Sequence, residues 1–291
     1  MFDERVVRQG PWSLSKAGVL QNCSQQFDFK YVKKIKETTK SSSAQVGIAG
    51  HKIIELLSEP PKGDGDKTPT LSWDVAEKVI QDYKLPVAEA QTVRAQLPWI
   101  RDYLVRVAQF REAWKVQTEY SELKLGMTSS FEIAAFDRDP ELFFRGVIDY
   151  AMRTEDGYLI IWDHKSGRRK PIQEHHAQLY SYMLLAMVNW PDLRGFQCGI
   201  NYFGRDEIDW FPRHDGSSGV WTPQEVVQYV VPWFVRYLNT LTKRLAVIQQ
   251  TQAGTPEPGW VCEYCGYVDR CPPGQAKVAE RQAKRAGSKN V

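Results

Sequence analysis

The stretch FFRGVIDYAMRTEDGYLIIWDHKSG, residues 143–167, decides how this chain is read. Glu155-Asp156-Gly157 suits a three-residue hairpin loop, a type I turn closed by a glycine in the left-handed region. That loop pairs Thr154 with Tyr158, so residues whose numbers sum to 312 stand opposite one another. Asp149 then faces Asp163, and Lys165 shares a face with Asp163 because strand side chains alternate with period two. Two carboxylates and an ammonium are thereby expected at one end of an apolar hairpin. A two-residue Asp156-Gly157 turn would shift the register by one and lose this geometry.

An acid two residues before a lysine occurs four times, as Asp28/Lys30, Asp82/Lys84, Glu122/Lys124 and Asp163/Lys165. Such a tripeptide usually marks a solvated surface. The last copy differs in context: it ends the apolar run YLIIW, has a second acid opposite and Gly167 close behind. Two aspartates at short range repel unless a cation lies between them, so the constellation points to a metal site.

Outward from the hairpin, residues 41–57 carry apolar side chains at helical spacing, and EPPKGDGDKTPT (59–70) reads as a loop. Helices are expected over 72–84 and 87–115, broken at Pro86 and kinked at Pro98. Strands follow over 116–125, 130–137, 142–152 and 158–165, then a helix over 173–188, strands near 196–203 and 206–212, and a long helix over 223–250. This order implies an α/β layered core, a mainly antiparallel sheet flanked by helices with a helical insertion. One domain over 1–274 and a flexible basic tail over 275–291 are expected.

The 291 residues carry 38 Lys and Arg against 35 Asp and Glu, a net charge of +3. The last 17 residues hold five cations against Glu280, net +4, which leaves about −1 for the rest. No apolar run approaches the ~18 residues needed to cross a bilayer, and no signal-peptide core opens the chain. A soluble, cytoplasmic protein is expected, in the host cytoplasm if the chain is phage-encoded. Five cysteines in such a chain argue for metal, redox or burial roles.

The pattern G-x-I-D at Gly146–Asp149, D-x-K at Asp163–Lys165 and Q-x-x-x-Y at Gln178–Tyr182 resembles the PD-(D/E)XK nuclease superfamily, and more closely its RecB/AddB-like branch, which includes the CRISPR-associated adaptation nucleases and phage RecB-like exonucleases. Ile148 precedes Asp149 where the strict motif has proline, as is usual in this branch. The resemblance implies a restriction-endonuclease-like core and a Mg²⁺ or Mn²⁺ site formed by His51, Asp149, Asp163 and the backbone carbonyl of His164. It also implies that Lys165 is catalytic and that Gln178 and Tyr182 hold that lysine and the DNA backbone. Glu122 is a weaker candidate, and Glu55 a neighbour of His51.

Cys262-x2-Cys265-x5-Cys271, with Cys23 near the N-terminus, is similar to the iron–sulfur staple of AddB-like nucleases. One 4Fe–4S cluster would take these four thiolates, in a segment over 260–273 joined to Cys23; zinc remains the alternative. Cys198, in an apolar strand, reads as a buried small hydrophobe. Lys284 and Arg285 in the tail are candidate phosphate contacts. The expected function is a metal-dependent DNA exonuclease on ends or single strands, in recombination, repair, phage DNA metabolism or CRISPR adaptation. The competing expectation is a DNA-binding or assembly module of the same fold that does not cut. With no G-x-x-x-x-G-K-[ST] motor motif, the chain is expected either to act as a stand-alone nuclease or to borrow a motor from a helicase, recombinase or adaptation-complex partner.

Overall fold

Six strands form one sheet in the order β2-β1-β3-β4-β5-β6, comprising β1 (Val116–Met127), β2 (Ile133–Ala134), β3 (Phe144–Thr154), β4 (Tyr158–Lys165), β5 (Gly195–Tyr202) and β6 (Ile208–Trp210). The computed structural model describes residues 1–38, 42–58, 73–203 and 207–287; the expected loop over 59–70 lies outside the described residues. β4 and β5 run parallel, and every other neighbouring pair is antiparallel. The hairpin takes the expected register, with Tyr150 opposite Trp162 and Arg153 opposite Leu159. Gly157 has φ +81°. Its N–H donates to the Thr154 carbonyl at 3.1 Å, closing the turn.

The strand expected over 130–137 shrinks to Ile133–Ala134. Local side chains take the backbone donors that a ladder would use. Thr128 Oγ1 accepts from Ser130 and Glu132, and the Asp139 carboxylate accepts from Ala135 and Glu141.

Helices Ser42–Ser58, Trp73–Asp82 and Val87–Ala113 share a core with one face of the sheet. In the longest of them Ala90, Val93, Leu97, Ile100, Leu104 and Val107 are buried at three- and four-residue spacing, meeting Tyr150, Met152, Ile160 and Trp162. Pro98 lies within this helix, which continues through it. Helix His176–Asn189, entered through a 3₁₀ turn at Ile172–His175, packs on β1, β3 and β5. Trp162 and His164 contact Tyr103 of the first helical layer, whereas Asp163 contacts Gln178 and Tyr182. Period-two alternation in β4 therefore sends neighbouring side chains to opposite helical layers.

The chain divides into two compact units, Ser42–Phe234 and Met1–Ser41 with Val235–Val291. The long helix expected over 223–250 is segmented. A capping box at Thr222 and Glu225 starts it, a π-helical turn occupies Val226–Val230, and the chain breaks after Asn239 before Thr242–Thr251. In the second unit Trp12, Leu20, Phe27, Leu238 and Leu245 are buried. Residues expected as a flexible tail form helix Pro272–Gly287 there. Arg281 and Arg285 pair with Glu263 at 3.2 and 3.0 Å, and Lys277 and Lys284 with Glu280 at 2.7 and 2.6 Å. Ion pairs along and beyond one helix turn thus give the tail a partnered face. No described helix is long and apolar enough to cross a membrane.

Candidate active site

Pairing between β3 and β4 ends at Tyr150 and Trp162, one residue short of Asp149 and Asp163. There the Asp149 carboxylate accepts the backbone N–H of His164 at 2.7 Å, so a side chain replaces the acceptor that the ladder would supply. Asp163 is 1% exposed. Its Oδ1 accepts from Gln178 Nε2 at 2.6 Å and from Tyr182 Oη at 3.1 Å, and its Oδ2 pairs with Lys165 Nζ at 2.5 Å. Gln178 also donates to Tyr182 Oη at 2.8 Å. The i, i+4 spacing on helix His176–Asn189 thus aims an amide and a phenol at one carboxylate.

His51, from helix Ser42–Ser58, places Nδ1 3.6 Å from Asp149 Oδ2. The His164 ring is buried on the other side of the strand, edge-on to Tyr103 at 4.9 Å and 3.2 Å from Asn201 Nδ2. Burial holds its pKa well below the usual range, so it is neutral. The His51 ring packs against it at 6.1 Å and against Phe203 at 6.2 Å.

Glu122 changes weight in the structure. It lies in β1 between Ser121, opposite Tyr150, and Leu123, opposite Ile148, and its φ is +51°. A non-glycine residue in the left-handed region within a strand is strained, and such strain clusters at functional sites. Among the described residues, His51, Glu122 and Asp149 form the one group of three potential ligands whose donor atoms all lie within 4.8 Å of one another. They line a pocket of ≈ 330 Å³ with Gly47, Lys52, Glu55 and Tyr83. Among the four similar tripeptides the sequence made Glu122 a weaker candidate; its approach to His51 and Asp149 gives it more weight.

The electrostatics of these donors favour binding of a cation. Burial and the Asp163 carboxylate push the Asp149 carboxyl well above the usual carboxylate range. Burial and Glu55 raise Glu122, and burial lowers His51. A divalent cation among these donors would offset each of these costs, and carboxylate oxygens with one imidazole suit Mg²⁺ or Mn²⁺.

The sequence profile of the PD-(D/E)XK nuclease superfamily matches residues 11–272. The chain belongs to the PD-(D/E)XK nuclease superfamily. Among solved structures, a candidate exonuclease from Eubacterium rectale is similar at 8% identity and TM-score 0.47, covering 87% of this chain and 86% of that one. The SSO0001 protein is similar at 15% identity and TM-score 0.31, covering 91% and 98%. Protein VC1899 from Vibrio cholerae is similar at 9% identity and TM-score 0.26, covering 87% and 58%. No curated protein matches the chain. PD-(D/E)XK nucleases use divalent metals and act on nucleic acid, and the donor set around Asp149 fits such an ion.

A second cluster lies in the unit formed by the two chain ends. Cys23, Cys262, Cys265 and Cys271 line one pocket with Phe29, Pro258, Val261 and Val268. All four are unbridged thiols. Burial raises the Cys265 and Cys271 thiols, and the neighbouring cysteines raise both further. Four crowded thiols in a largely apolar setting are costly to ionise unless a cationic centre binds them. Cys198 is fully buried in β5, as expected for a small hydrophobe.

Proposed function

We propose that this PD-(D/E)XK protein is a Mg²⁺- or Mn²⁺-dependent deoxyribonuclease of the RecB/AddB-like type, an exonuclease on DNA ends or single strands. The convergence of His51, Glu122 and Asp149 within 4.8 Å, beside the Asp163–Lys165 pair, is the observation that carries it. When bound, a divalent ion supplies Lewis-acid charge neutralisation on the scissile phosphate and a lowered pKa for water. Asp149, His51, Glu122, Asp163 and the His164 carbonyl would hold it.

The chain's own groups do the rest. Lys165 presents an ammonium at the end of β4, where it neutralises a phosphate oxygen or orients the attacking water. Gln178 and Tyr182 fix the Asp163 carboxylate, so the Lys165 side chain keeps one direction. Tyr182 stays a protonated donor because burial and Asp163 raise its pKa. Lys284 and Arg285, exposed but paired with Glu280 and Glu263, would exchange these partners for phosphates.

The cysteine pocket is read as the site of one 4Fe–4S cluster. Zinc is the alternative; a four-iron cluster takes four thiolates, and these four cysteines would supply them. It would staple Cys23 to the 262–271 segment.

In this reading the nuclease acts in the cytoplasm, alone or with a helicase, recombinase or adaptation-complex partner. The test is cleavage of end-labelled single- and double-stranded DNA with Mg²⁺, Mn²⁺ or EDTA. Stepwise release of short products with metal and none with EDTA supports the proposal. Binding without cleavage under all three conditions refutes it.

A further inference from the structure

The formal charge of +3 hides a division. The unit of residues 1–41 and 235–291 carries 17 Lys and Arg against 8 Asp and Glu, net +9, and residues 42–234 carry 21 against 27, net −6. Most of this excess persists without the tail helix, since residues 275–291 account for only +4 of the +9. Positive charge is therefore concentrated in the body that holds the cysteine pocket rather than in the body that holds Asp149.

That body also exposes rings. Trp260 and Tyr264 begin and end the 3₁₀ turn that carries Cys262. They are 61% and 55% exposed, and their rings meet edge-on at 6.2 Å. Among the described residues they are the one pair of exposed aromatic side chains in mutual ring contact. The adjoining backbone is held firmly. The Tyr267 hydroxyl donates to the Ile35 carbonyl at 2.9 Å, and the Thr38 N–H to the Gly266 carbonyl at 3.0 Å. These bonds lay segment 33–38 alongside Cys265–Tyr267, bringing the exposed Lys34 and Lys36 to the same stretch.

A turn with two exposed rings, on a body of net +9 whose neighbouring segment carries Lys34 and Lys36, matches one ligand chemistry. Unpaired bases stack on aromatic faces while cations track the phosphates, and such binding tolerates any sequence. Duplex DNA would offer the phosphates but no open base face. A hydrophobic protein partner would use the rings but gain little from the surrounding charge. We infer that Trp260 and Tyr264 form a stacking platform for single-stranded DNA, with Lys34 and Lys36 contacting its phosphates. This rests on the deoxyribonuclease proposal above and adds a strand-holding site apart from the cleavage residues.

The test measures binding by the full-length protein in EDTA, using fluorescently labelled oligo(dT) and an abasic oligomer of equal length and charge. Wild type should bind oligo(dT) much more tightly than the abasic strand. Trp260→Ala and Tyr264→Ala should each weaken oligo(dT) binding roughly tenfold or more. The double variant should bind both oligomers alike. Trp260→Phe keeps a ring and should restore most of the affinity, while unchanged melting shows that the turn is intact. The aromatic variants should leave the salt dependence of binding unaltered. Lys34→Ala and Lys36→Ala should each make the slope of log affinity against log salt shallower by about 0.7.

Undiminished oligo(dT) binding by the double variant, or equal losses on the two oligomers, overturns the inference. Wild-type cleavage with Mn²⁺ is measured in parallel. If wild type cleaves while the double variant binds oligo(dT) normally, the platform alone is wrong. If wild type neither binds nor cleaves DNA, both proposals fall.

Discussion

Replacing Asp149 by asparagine should abolish cleavage and at the same time stabilise the metal-free protein. The Asp149 side chain is only 12% exposed and faces the Asp163 carboxylate. Its one strong hydrogen bond, from the His164 N–H at 2.7 Å, can be accepted equally well by an asparagine Oδ1. The substitution therefore keeps the bond and removes a buried charge with a like-charged neighbour. Relief of this kind is worth about 1–2 kcal/mol, which for a body of this size raises the melting temperature by roughly 3–6 °C.

The effect carries a pH signature. A carboxyl with a raised folded-state pKa contributes stability that is complete below its unfolded pKa and lost as pH rises through the folded value. Asparagine does not titrate. The advantage of Asp149→Asn should accordingly be near zero at about pH 4 and widen as pH rises. Differential scanning calorimetry in EDTA from pH 4 to 8 measures it. Saturating Mn²⁺ should raise the melting temperature of wild type and leave the variant nearly unmoved, since binding at 100 times Kd stabilises by about 2.7 kcal/mol. A variant less stable than wild type in EDTA at pH 8, or an advantage that does not change with pH, would refute the electrostatic account of this site.

Three further outcomes follow from the same geometry. Asp163→Ala and Lys165→Ala should each abolish cleavage with folding and DNA binding retained, while Lys30→Ala and Lys84→Ala, in similar tripeptides elsewhere, stay active; full activity in Asp163→Ala on end-labelled DNA sinks the site. Glu122→Gln should raise the Mn²⁺ concentration needed for half-maximal cleavage at least tenfold, and an unchanged metal requirement would remove Glu122 from the ligand set. Protein purified without oxygen should be brown with about four irons per chain; Cys23→Ser, Cys262→Ser, Cys265→Ser and Cys271→Ser should bleach it, and Cys198→Ser should not, whereas colourless protein with stoichiometric zinc would replace iron with zinc.

The hairpin was fully legible in the sequence, because turn chemistry at Gly157 and period-two alternation together determine which residues stand opposite one another. Helix Val87–Ala113 was equally legible from its apolar spacing. Three features were not. The β2 region reads as a strand because its composition is strand-like, yet Thr128 and Asp139 divert its backbone donors. Glu122 owes its position to a left-handed backbone that no residue type announces. The tail composition resembles a solvated end, but its helix depends on Glu263, which is 18 or more residues from its arginine partners. Local side-chain hydrogen bonds decide the first case, a backbone angle the second and pairing with a distant glutamate the third, none of which the apolar pattern encodes.

The cysteine pocket draws its thiols from segments about 240 residues apart, and this has a consequence for biosynthesis. Cys262 leaves the ribosome about 240 residues after Cys23, which at roughly 5–20 residues per second is a delay of about 12–48 s. Throughout that interval residues 42–234 have their own core to condense around, while the N-terminal segment has no partner to close on. Cys23 therefore waits as an unclaimed nucleophile on a nascent chain, open to oxidation or to capture by a metal-delivery factor. Maturation of this body thus follows the folding of the sheet, and oxidant stress during translation should strike it while sparing the body of residues 42–234.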